Sequence, residues 1–262
     1  MLRRCFVLLL AILLPLAVSA DVILNSVQVT SASMPKEVGG GPYSWTFVGK
    51  ANGATDGPGT SISTTSGTIN VAIGDLIIAA VQWEDDSTAE ITTGEFDDNN
   101  NQNDLTKDSE IHNSGNFMNM HLWTGVAGTA NATASFTATI DTSVSFKKIV
   151  VFVYRPSGGT PAKDITGTPA AADDSNASQT STTGSFSTAS STDVVCAFAG
   201  FYTSGSWSNQ TINSVTADRT ESPSGISGWC RENVTALSSV TASSLYSQTR
   251  YWVATAIAFK AE

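Results

Sequence analysis

The sequence predicts an all-β protein: an antiparallel two-sheet sandwich, jelly-roll or immunoglobulin-like, that is built from two similar halves. Short apolar runs alternate with segments rich in Gly, Ser, Thr and Asn, as in sandwiches whose strands are joined by polar turns. The apolar run at residues 75–83 recurs in pattern at residues 193–201. No segment repeats its apolar residues at the helical period, so no helix is expected.

The first 20 residues predict a signal peptide. Arg3 and Arg4 precede an apolar stretch at residues 6–18, and short side chains follow at a cleavage site after Ala20. Pro15 and the shortness of the stretch disfavour a membrane span, which needs about 20 apolar residues; an uncleaved N-terminal anchor is the alternative. We therefore expect an exported protein, secreted or held in the periplasm or at the cell surface, with no membrane span after signal removal.

Residues 21–156 are predicted to form the N-terminal half of the sandwich. The central strand of this half is residues 75–83, which are entered through a Gly-Asp turn and are apolar on both faces. A second strand at residues 117–124 alternates between two faces with a period of two. The other strands of this half are predicted at residues 21–33, 44–48, 68–71, 132–140 and 148–154.

A connector rich in Pro, Ala, Ser, Thr and Asp is predicted at residues 157–184, before a C-terminal half at residues 185–262. The strands of the two halves match in chain order: 75–83 with 193–201, 121–124 with 228–231, 132–136 with 239–245, and 149–154 with 253–259. A half with about four usable strands must bury its apolar face against something. One shared sandwich is therefore favoured over two small sandwiches lying side by side.

The charge balance limits the classes of partner. Removal of the signal peptide takes away two arginines and no acid, so the formal charge falls from −10 to −12. An acidic protein with so few basic residues repels phosphate backbones and anionic membrane surfaces. Nucleic acid is therefore not expected as a partner, whereas an extracellular glycan or a cell-surface protein is compatible with this charge.

Two cysteines, Cys196 and Cys230, remain after signal removal. In an oxidising compartment the simplest expectation is that they form one disulfide. Each of them also lies in an apolar, strand-like run, so two separate buried thiols are the alternative.

The segment at residues 84–104 contains eight acids and no Lys or Arg. Part of it offers many carboxylate and amide oxygens at short spacing, which is the chemistry that Ca²⁺ prefers. It is not an EF-hand, because Gln102 stands where that loop requires glycine. A solvated acidic loop is the plainer interpretation, and a looser calcium site is the alternative. The residues of that candidate site are Asp97, Asn99, Asn101 and Asp104.

Groups for acid–base catalysis are few. His112 and His121 are the only histidines, and the second is expected to be an ordinary histidine on the face of a sheet. The acids that follow the first central strand could supply the paired carboxylates of a polysaccharide hydrolase or lyase. These acids are Glu84, Asp85, Asp86 and Glu95. No catalytic residue is assigned, and the scarcity of His, Lys and Arg favours a protein that is not an enzyme.

Aromatic residues follow both copies of the central strand. Trp83 and Phe201 are expected to belong to the core, although such rings can also stack on sugars. Trp207 lies in a loop rich in Ser and Asn and is expected to be exposed, which makes it the first candidate for a ligand contact. Tyr202 and Asn209 are the other two candidates.

The Gly74-Asp75-Leu76 entry to the central strand, together with Trp123 and the apolar strand at residues 148–154, resembles a group of secreted or phage-associated bacterial β-sandwich modules. The resemblance spans roughly residues 60–262. It implies the fold and export, and it transfers no site residue. We therefore expect a secreted binding, adhesion or structural surface module, for which glycan binding is one form; the alternative is the secreted hydrolase or lyase.

Overall fold

The computed structural model describes residues 43–84, 88–100, 102–113, 118–165, 170–173, 178–190, 192–201 and 205–262. The predicted signal peptide and the predicted strand at residues 21–33 lie outside these ranges. Nineteen strands run through the described residues, all of the pairs are antiparallel, and no helix is present among them. The prediction of an all-β protein with two similar halves is confirmed.

The N-terminal half is centred on β4, all nine residues of which are buried. The main sheet of this half has the strand order β1-β9-β4-β7-β6, and β2, β5, β3 and β8 form the layer over it. The strands are β1 (Trp45–Thr55), β2 (Gly59–Ser63), β3 (Ile69–Val71), β4 (Leu76–Glu84), β5 (Ile91–Asp98), β6 (Thr106–Asn113), β7 (Met118–Val126), β8 (Asn131–Ala134) and β9 (Phe136–Pro156).

Strand β9 is 21 residues long and belongs to both layers of this half. Its first part pairs with β2 and β5, and its second part pairs with β1 and β4. Between the two parts lies Phe146, which has a positive φ of 51°. A strand that bends in this way can leave one sheet and enter the other, which forms the corner of the sandwich.

The C-terminal half repeats this plan. Its main sheet has the order β10-β19-β13-β17-β16, with β11 also paired to β19, and its second sheet has the order β12-β18-β14-β15. The strands are β10 (Pro161–Lys163), β11 (Ala170–Asp173), β12 (Ser178–Thr182), β13 (Asp193–Phe201), β14 (Trp207–Ile212), β15 (Val215–Thr216), β16 (Arg219–Glu221), β17 (Ile226–Val234), β18 (Ala242–Arg250) and β19 (Trp252–Ala261). The part that β9 has in the first half is divided here between β18 and β19.

The register of the two main sheets shows which residues are equivalent. Trp123 lies opposite Ala79 in the first half, and Trp229 lies opposite Ala197 in the second. The match predicted between residues 121–124 and 228–231 is therefore displaced by one residue, because His121 corresponds to Ser227. The central strands β4 and β13 match as predicted.

The two halves share a core, as expected, but the described strands form four sheets and not two. Alternate residues of β4 explain this difference: Ile77 and Ala79 face the core of the N-terminal half, whereas Leu76 and Ile78 pack with Cys196 and other residues of the C-terminal half. A main sheet that is apolar on both faces needs a covering layer on each side. Each main sheet therefore packs on its own outer layer and on the main sheet of the other half.

Cys196 and Cys230 form the predicted disulfide. They lie directly opposite each other on β13 and β17, with 4.1 Å between their Cα atoms. A disulfide is consistent with an oxidising, extracytoplasmic location.

The segment predicted as a connector, residues 157–184, contributes the short strands β10, β11 and β12. In the part of the chain that the structure covers, no helix is long and apolar enough to cross a membrane.

Candidate metal centre

Strands β6 and β7 form a hairpin at the edge of the N-terminal main sheet, and it brings the two histidines of the chain together. Its register places Glu110 opposite His121, and His112 opposite Asn119. Residues two apart on a strand share a face, and so do residues directly opposite each other. These four side chains therefore project from one face, on the side of Trp123 and the core of the N-terminal half.

Glu90 reaches this hairpin from the segment before β5. Its neighbours Ala89 and Ile91 are buried on either side and anchor the segment in the core. Its backbone N–H donates to Oδ1 of Asp141 at 3.0 Å, and its carbonyl oxygen accepts from the N–H of Asp141 at 2.9 Å. The backbone of Glu90 is thereby fixed where its carboxylate meets the hairpin side chains.

Glu90, Glu110, His112 and His121 each offer one ligand atom, and these atoms all lie within 4.8 Å of one another. Nε2 of His121 lies 3.7 Å from Oε2 of Glu90 and 4.0 Å from Oε2 of Glu110. Nε2 of His112 lies 3.7 Å from Oε1 of Glu110 and 4.0 Å from Oε1 of Glu90. A tetrahedral Zn²⁺ with bonds near 2.1 Å holds its ligand atoms about 3.4 Å apart. Small inward side-chain rotations would therefore complete such a site.

His121 forms the floor of the cluster. Its side chain is fully buried, its ring packs edge-on against Trp83 at 4.5 Å, and neither ring nitrogen has a hydrogen-bond partner among the described residues. Burial lowers the pKa of His121 to about 3, and the charge of Lys107 acts in the same direction. The ring is therefore neutral at pH 7 and has a free lone pair. A buried polar group without a partner costs about 1–3 kcal/mol, which a bound ion would recover in part.

The tautomer of His112 is set by Asn119. Nδ1 of His112 lies within hydrogen-bond distance of Oδ1 of Asn119. Since an amide oxygen can only accept, Nδ1 carries the proton and Nε2 keeps its lone pair. This lone pair faces the two glutamates. Metal-binding histidines commonly donate their other N–H to a carbonyl oxygen in this way.

The carboxylates of Glu90 and Glu110 are held together by Lys107. Its ammonium donates to Oε2 of Glu90 at 2.9 Å and to Oε2 of Glu110. Burial alone would lower the pKa of Lys107, but the hydrogen bonds to Glu110 and Glu90 outweigh it and raise the pKa. The same hydrogen bond from Lys107 lowers the pKa of Glu110. Both partners of that hydrogen bond are thus charged at neutral pH.

The cluster is closed on one side and open on the other. His121 seals it toward the core, whereas about a third of the side-chain surface of Glu90 and His112, and somewhat more of Glu110, is exposed to solvent. An ion can therefore enter from water without unfolding of the sheet. Two imidazoles and two carboxylates suit Zn²⁺ and similar first-row ions better than Ca²⁺, which prefers six to eight oxygen ligands.

Among the described residues of the C-terminal half, no such group lies at the equivalent place. Ser227, the counterpart of His121, exchanges a hydrogen bond of 2.7 Å with the hydroxyl of Ser222. Nε2 of Gln210 donates to Ser227 at 3.3 Å. In place of imidazole and carboxylate groups, this position has two hydroxyls and an amide that are hydrogen-bonded to one another. The candidate centre is therefore a feature of the N-terminal half and not of the shared fold.

The loop predicted as a calcium site is organised by Asp98, which the sequence reasoning did not select. The buried carboxylate of Asp98 accepts hydrogen bonds from the backbone N–H groups of Asn100 and Gln102 and from the side-chain amides of Asn103 and Asn131. Burial alone would raise the pKa of Asp98, but these four hydrogen bonds outweigh it and lower the pKa. The carboxylate thus has internal donors in place of a cation.

The four residues of the predicted calcium site are placed as follows. Asp97 and Asn99 flank Asp98, and Oδ1 of Asn99 already accepts hydrogen bonds from Asn131 and Ser135. Asp104 is exposed, and Asn101 lies outside the described residues. Calcium binding by this loop stays a prediction.

The acids proposed for a hydrolase or lyase do not form a described pair. Glu84 is buried, and its Oε1 lies 3.4 Å from Nζ of Lys148, which is also buried. Asp85 and Asp86 lie outside the described residues, as does the side chain of Glu95. A carboxylate enclosed in the sheet beside a lysine is poorly placed to reach a polysaccharide.

The ring of Trp207, expected to be exposed, is half-buried. It packs against Phe201 at 4.8 Å and Tyr246 at 5.0 Å between ring centroids. Asn209 is exposed and has a positive φ of 50°, and Tyr202 lies outside the described residues. Trp83 and Phe201 are fully buried, as predicted. A ligand contact at Trp207 and Asn209 stays a prediction.

The sequence reasoning missed the histidine and glutamate cluster, although part of its signal is visible in the sequence. Glu110 and His112 are two residues apart, as are Asn119 and His121, on either side of one turn. Pairing these two strands as a hairpin would have placed both histidines on one face. The position of Glu90 has no comparable signal in the sequence, because it depends on a contact with Asp141, which is far away in the chain.

Comparison with family models, with curated proteins and with solved structures gives no match. The site must therefore be interpreted from its own geometry, and the resemblance to secreted and phage-associated modules remains an expectation.

Proposed function

We propose that this chain is an exported, non-catalytic binding or structural module of the cell exterior, whose N-terminal half holds one divalent transition-metal ion of the Zn²⁺ class. Glu90, Glu110, His112 and His121 are the ligands. The disulfide between β13 and β17 supports the exported location. The resemblance to secreted β-sandwich modules supports the same role.

The observation that carries the metal site is the environment of His121. This side chain is fully buried, neither of its ring nitrogens has a hydrogen bond within the described part of the chain, and Nε2 lies 3.7 and 4.0 Å from oxygens of two carboxylates. An ordinary buried histidine has its polar atoms satisfied. A cation shared with the glutamates would satisfy Nε2 and neutralise the carboxylates in one step.

A binding or structural role fits the rest of the described chain better than catalysis does. Lys107 is held by two glutamates, Lys148 is buried beside Glu84, and Arg155 is paired with Asp75. These cations are engaged within the fold and are not presented to a substrate. The finer proposal, a glycan or a protein of the cell surface as partner, rests on the first residues of β14, which include Trp207 and Asn209.

The experiment is calorimetric titration of Zn²⁺ into the mature chain after treatment with a chelator. We expect one ion per chain. His112→Ala and Glu110→Gln should each weaken the binding by about tenfold to a hundredfold or more, because each removes one ligand. Glu221→Gln is the matched control, since Glu221 is an acid of the corresponding edge strand in the other half; it should leave the affinity unchanged. Millimolar Ca²⁺ should not compete.

The proposal is wrong if the chain takes up no Zn²⁺, or if His112→Ala and Glu110→Gln bind it as tightly as the unmodified chain does. Circular dichroism of each variant shows whether the sheets are intact. His112 and Glu110 are chosen over His121 because they are partly exposed, so their replacement leaves no cavity in the core.

A further inference from the structure

We propose that Lys107 is a resident cation that the incoming metal ion displaces, so that this lysine sets how tightly the centre binds its ion. The inference rests on the proposed metal site. It concerns a residue that contacts all the parts of the cluster that carry negative charge and is not itself a ligand.

The ammonium of Lys107 lies on the side of the cluster where an ion bound to His121 would have to lie. It is bonded to Oε2 of Glu90 and to Oε2 of Glu110. These are the same two oxygen atoms that lie closest to Nε2 of His121. An ion that binds the His121 nitrogen together with these oxygens must therefore take the place of the Lys107 ammonium.

A β-bulge places Lys107 on this face. Lys107 and Glu110 are three residues apart, which would put them on opposite faces of a regular strand. The register of β6 against β7 shifts between Lys107 and Ser109, so that Lys107 lies opposite Trp123 while Glu110 lies opposite His121. The extra residue, Asp108, bonds to Thr124 and Lys163. Bulges that redirect a side chain are common beside functional sites.

The charge balance favours exchange over joint occupancy. Two carboxylates and one ammonium leave a net charge of about −1 without metal, which a divalent ion would turn to about +1 if Lys107 stayed. Departure of the ammonium makes the site neutral. About a third of the Lys107 side chain is exposed, and its flexible stem can carry the charged end into water.

Replacement of Lys107 distinguishes a lysine that competes with the ion from a lysine that only holds the two glutamates in place. If Lys107 only holds the two glutamates in place, Lys107→Gln should weaken Zn²⁺ binding. If Lys107 competes with the ion, the same change should strengthen it, by about tenfold or more for the removal of a charge at contact distance. Lys107→Arg keeps the charge and should bind within a few-fold of the unmodified chain. Lys50→Gln, which removes an exposed ion pair with Glu221, is the remote control.

A second measurement follows the amine itself. Acetylation of Lys107 by acetic anhydride, quantified by mass spectrometry of its peptide, should increase when Zn²⁺ is bound, because the amine has left the glutamates. The labelling of Lys50 should not change. If the unmodified chain binds Zn²⁺ but Lys107→Gln binds it equally or more weakly, or if labelling is unchanged, the exchange is overturned while the metal site stands. If no variant binds Zn²⁺, both proposals fall.

Discussion

Asp75 and Asp193 occupy equivalent positions at the start of the two central strands, and of these two acids only Asp75 forms an ion pair within the described residues. The guanidinium of Arg155 donates to both carboxylate oxygens of Asp75, at 2.7 and 2.8 Å. Lys260, the counterpart of Arg155, instead bonds to Glu262 at 2.6 Å. Both oxygens of Asp193 are fully buried, and among the described residues neither has a hydrogen bond of normal geometry, although the side chain of Thr188 is close enough to lower the pKa of Asp193 in part. The duplicated fold therefore contains one satisfied and one unsatisfied copy of the same acid.

The contribution of Asp193 to the free energy of unfolding should consequently fall as the pH rises from about 4 to about 7. Burial raises the pKa of Asp193 to about 7, and the neighbouring charge of Asp164 adds to it. In that range the folded protein keeps a proton on Asp193 that the unfolded chain has lost, so each pH unit removes up to about 1.4 kcal/mol. Asp193→Asn, which is neutral at any pH, should remove this contribution, so that the stability of the variant measured in urea titrations falls less, or rises more, over this range than that of the unmodified chain. An unchanged slope would contradict the assignment.

Asp75→Asn is the matched substitution in the other half, and it should have the opposite effect at pH 7. It removes a charged hydrogen-bonding partner from Arg155 and should lower the free energy of unfolding by about 1.5–3 kcal/mol. Asp193→Asn should leave that free energy unchanged or raise it at the same pH. Equal effects of the two substitutions would show that the two acids are in similar environments.

Zn²⁺ should raise the thermal stability of the unmodified chain. At a free concentration one hundred times the Kd, a ligand that binds only the folded state adds about 2.7 kcal/mol, which is about 5–10 °C for a chain of this size. EDTA should reverse the shift, and His112→Ala should reduce it at the same Zn²⁺ concentration, to about 1.4 kcal/mol for a tenfold weaker site and about 0.4 kcal/mol for a hundredfold weaker one. The melting curve with millimolar Ca²⁺ separately tests the loop of Asp97, Asn99, Asn101 and Asp104.

The buried pair of Glu84 and Lys148 should show strong coupling. Lys148→Met removes the ammonium that lies 3.4 Å from the buried carboxylate of Glu84 and should cost about 3–5 kcal/mol. Adding Glu84→Gln should recover part of that loss, because the buried charge is then gone. Lys50→Met removes the more exposed pair with Glu221 and should change the free energy by less than about 1 kcal/mol. Additive effects of Lys148→Met and Glu84→Gln would contradict the pairing.

The disulfide should contribute substantially to stability. It joins residues 34 positions apart, and closing a loop of that length in the unfolded chain corresponds to about 3–4 kcal/mol. The double variant Cys196→Ala, Cys230→Ala should lose about this amount in urea unfolding. The reduced, unmodified chain should lose a similar amount, and an unchanged midpoint in either sample would count against the bond.

The sequence predicts the central elements well because their signal is local. The run that becomes β4 is short, apolar at nearly every position and entered through a Gly-Asp turn, which is typical of a strand covered on both faces. Trp83 and Phe201 follow the same logic and are fully buried. The disulfide was predicted because two cysteines remain in a chain expected to be exported to an oxidising compartment. The existence of these strands, their place in the core and the match between the two repeats could all be predicted without knowing how distant strands pair.

The candidate centre depends on register and on contacts between layers, which local pattern does not contain. His112 and His121 meet only because the hairpin pairs Glu110 with His121, and the bulge beside Asp108 changes which residues share that face. Glu90 is brought to them by the backbone hydrogen bonds to Asp141. The number of sheets was underestimated because both faces of each central strand are apolar, so that each main sheet needs a covering layer on either side.

The crossing of β9 from one layer to the other has a consequence for how the protein opens. In the N-terminal half the same strand, β9, is hydrogen-bonded in both layers, so neither layer can separate while the other stays intact. In the C-terminal half the ladder is interrupted at Tyr251, between β18 and β19. Hydrogen exchange should therefore protect the N-terminal half as one cooperative unit, whereas the outer sheet of the C-terminal half can open on its own.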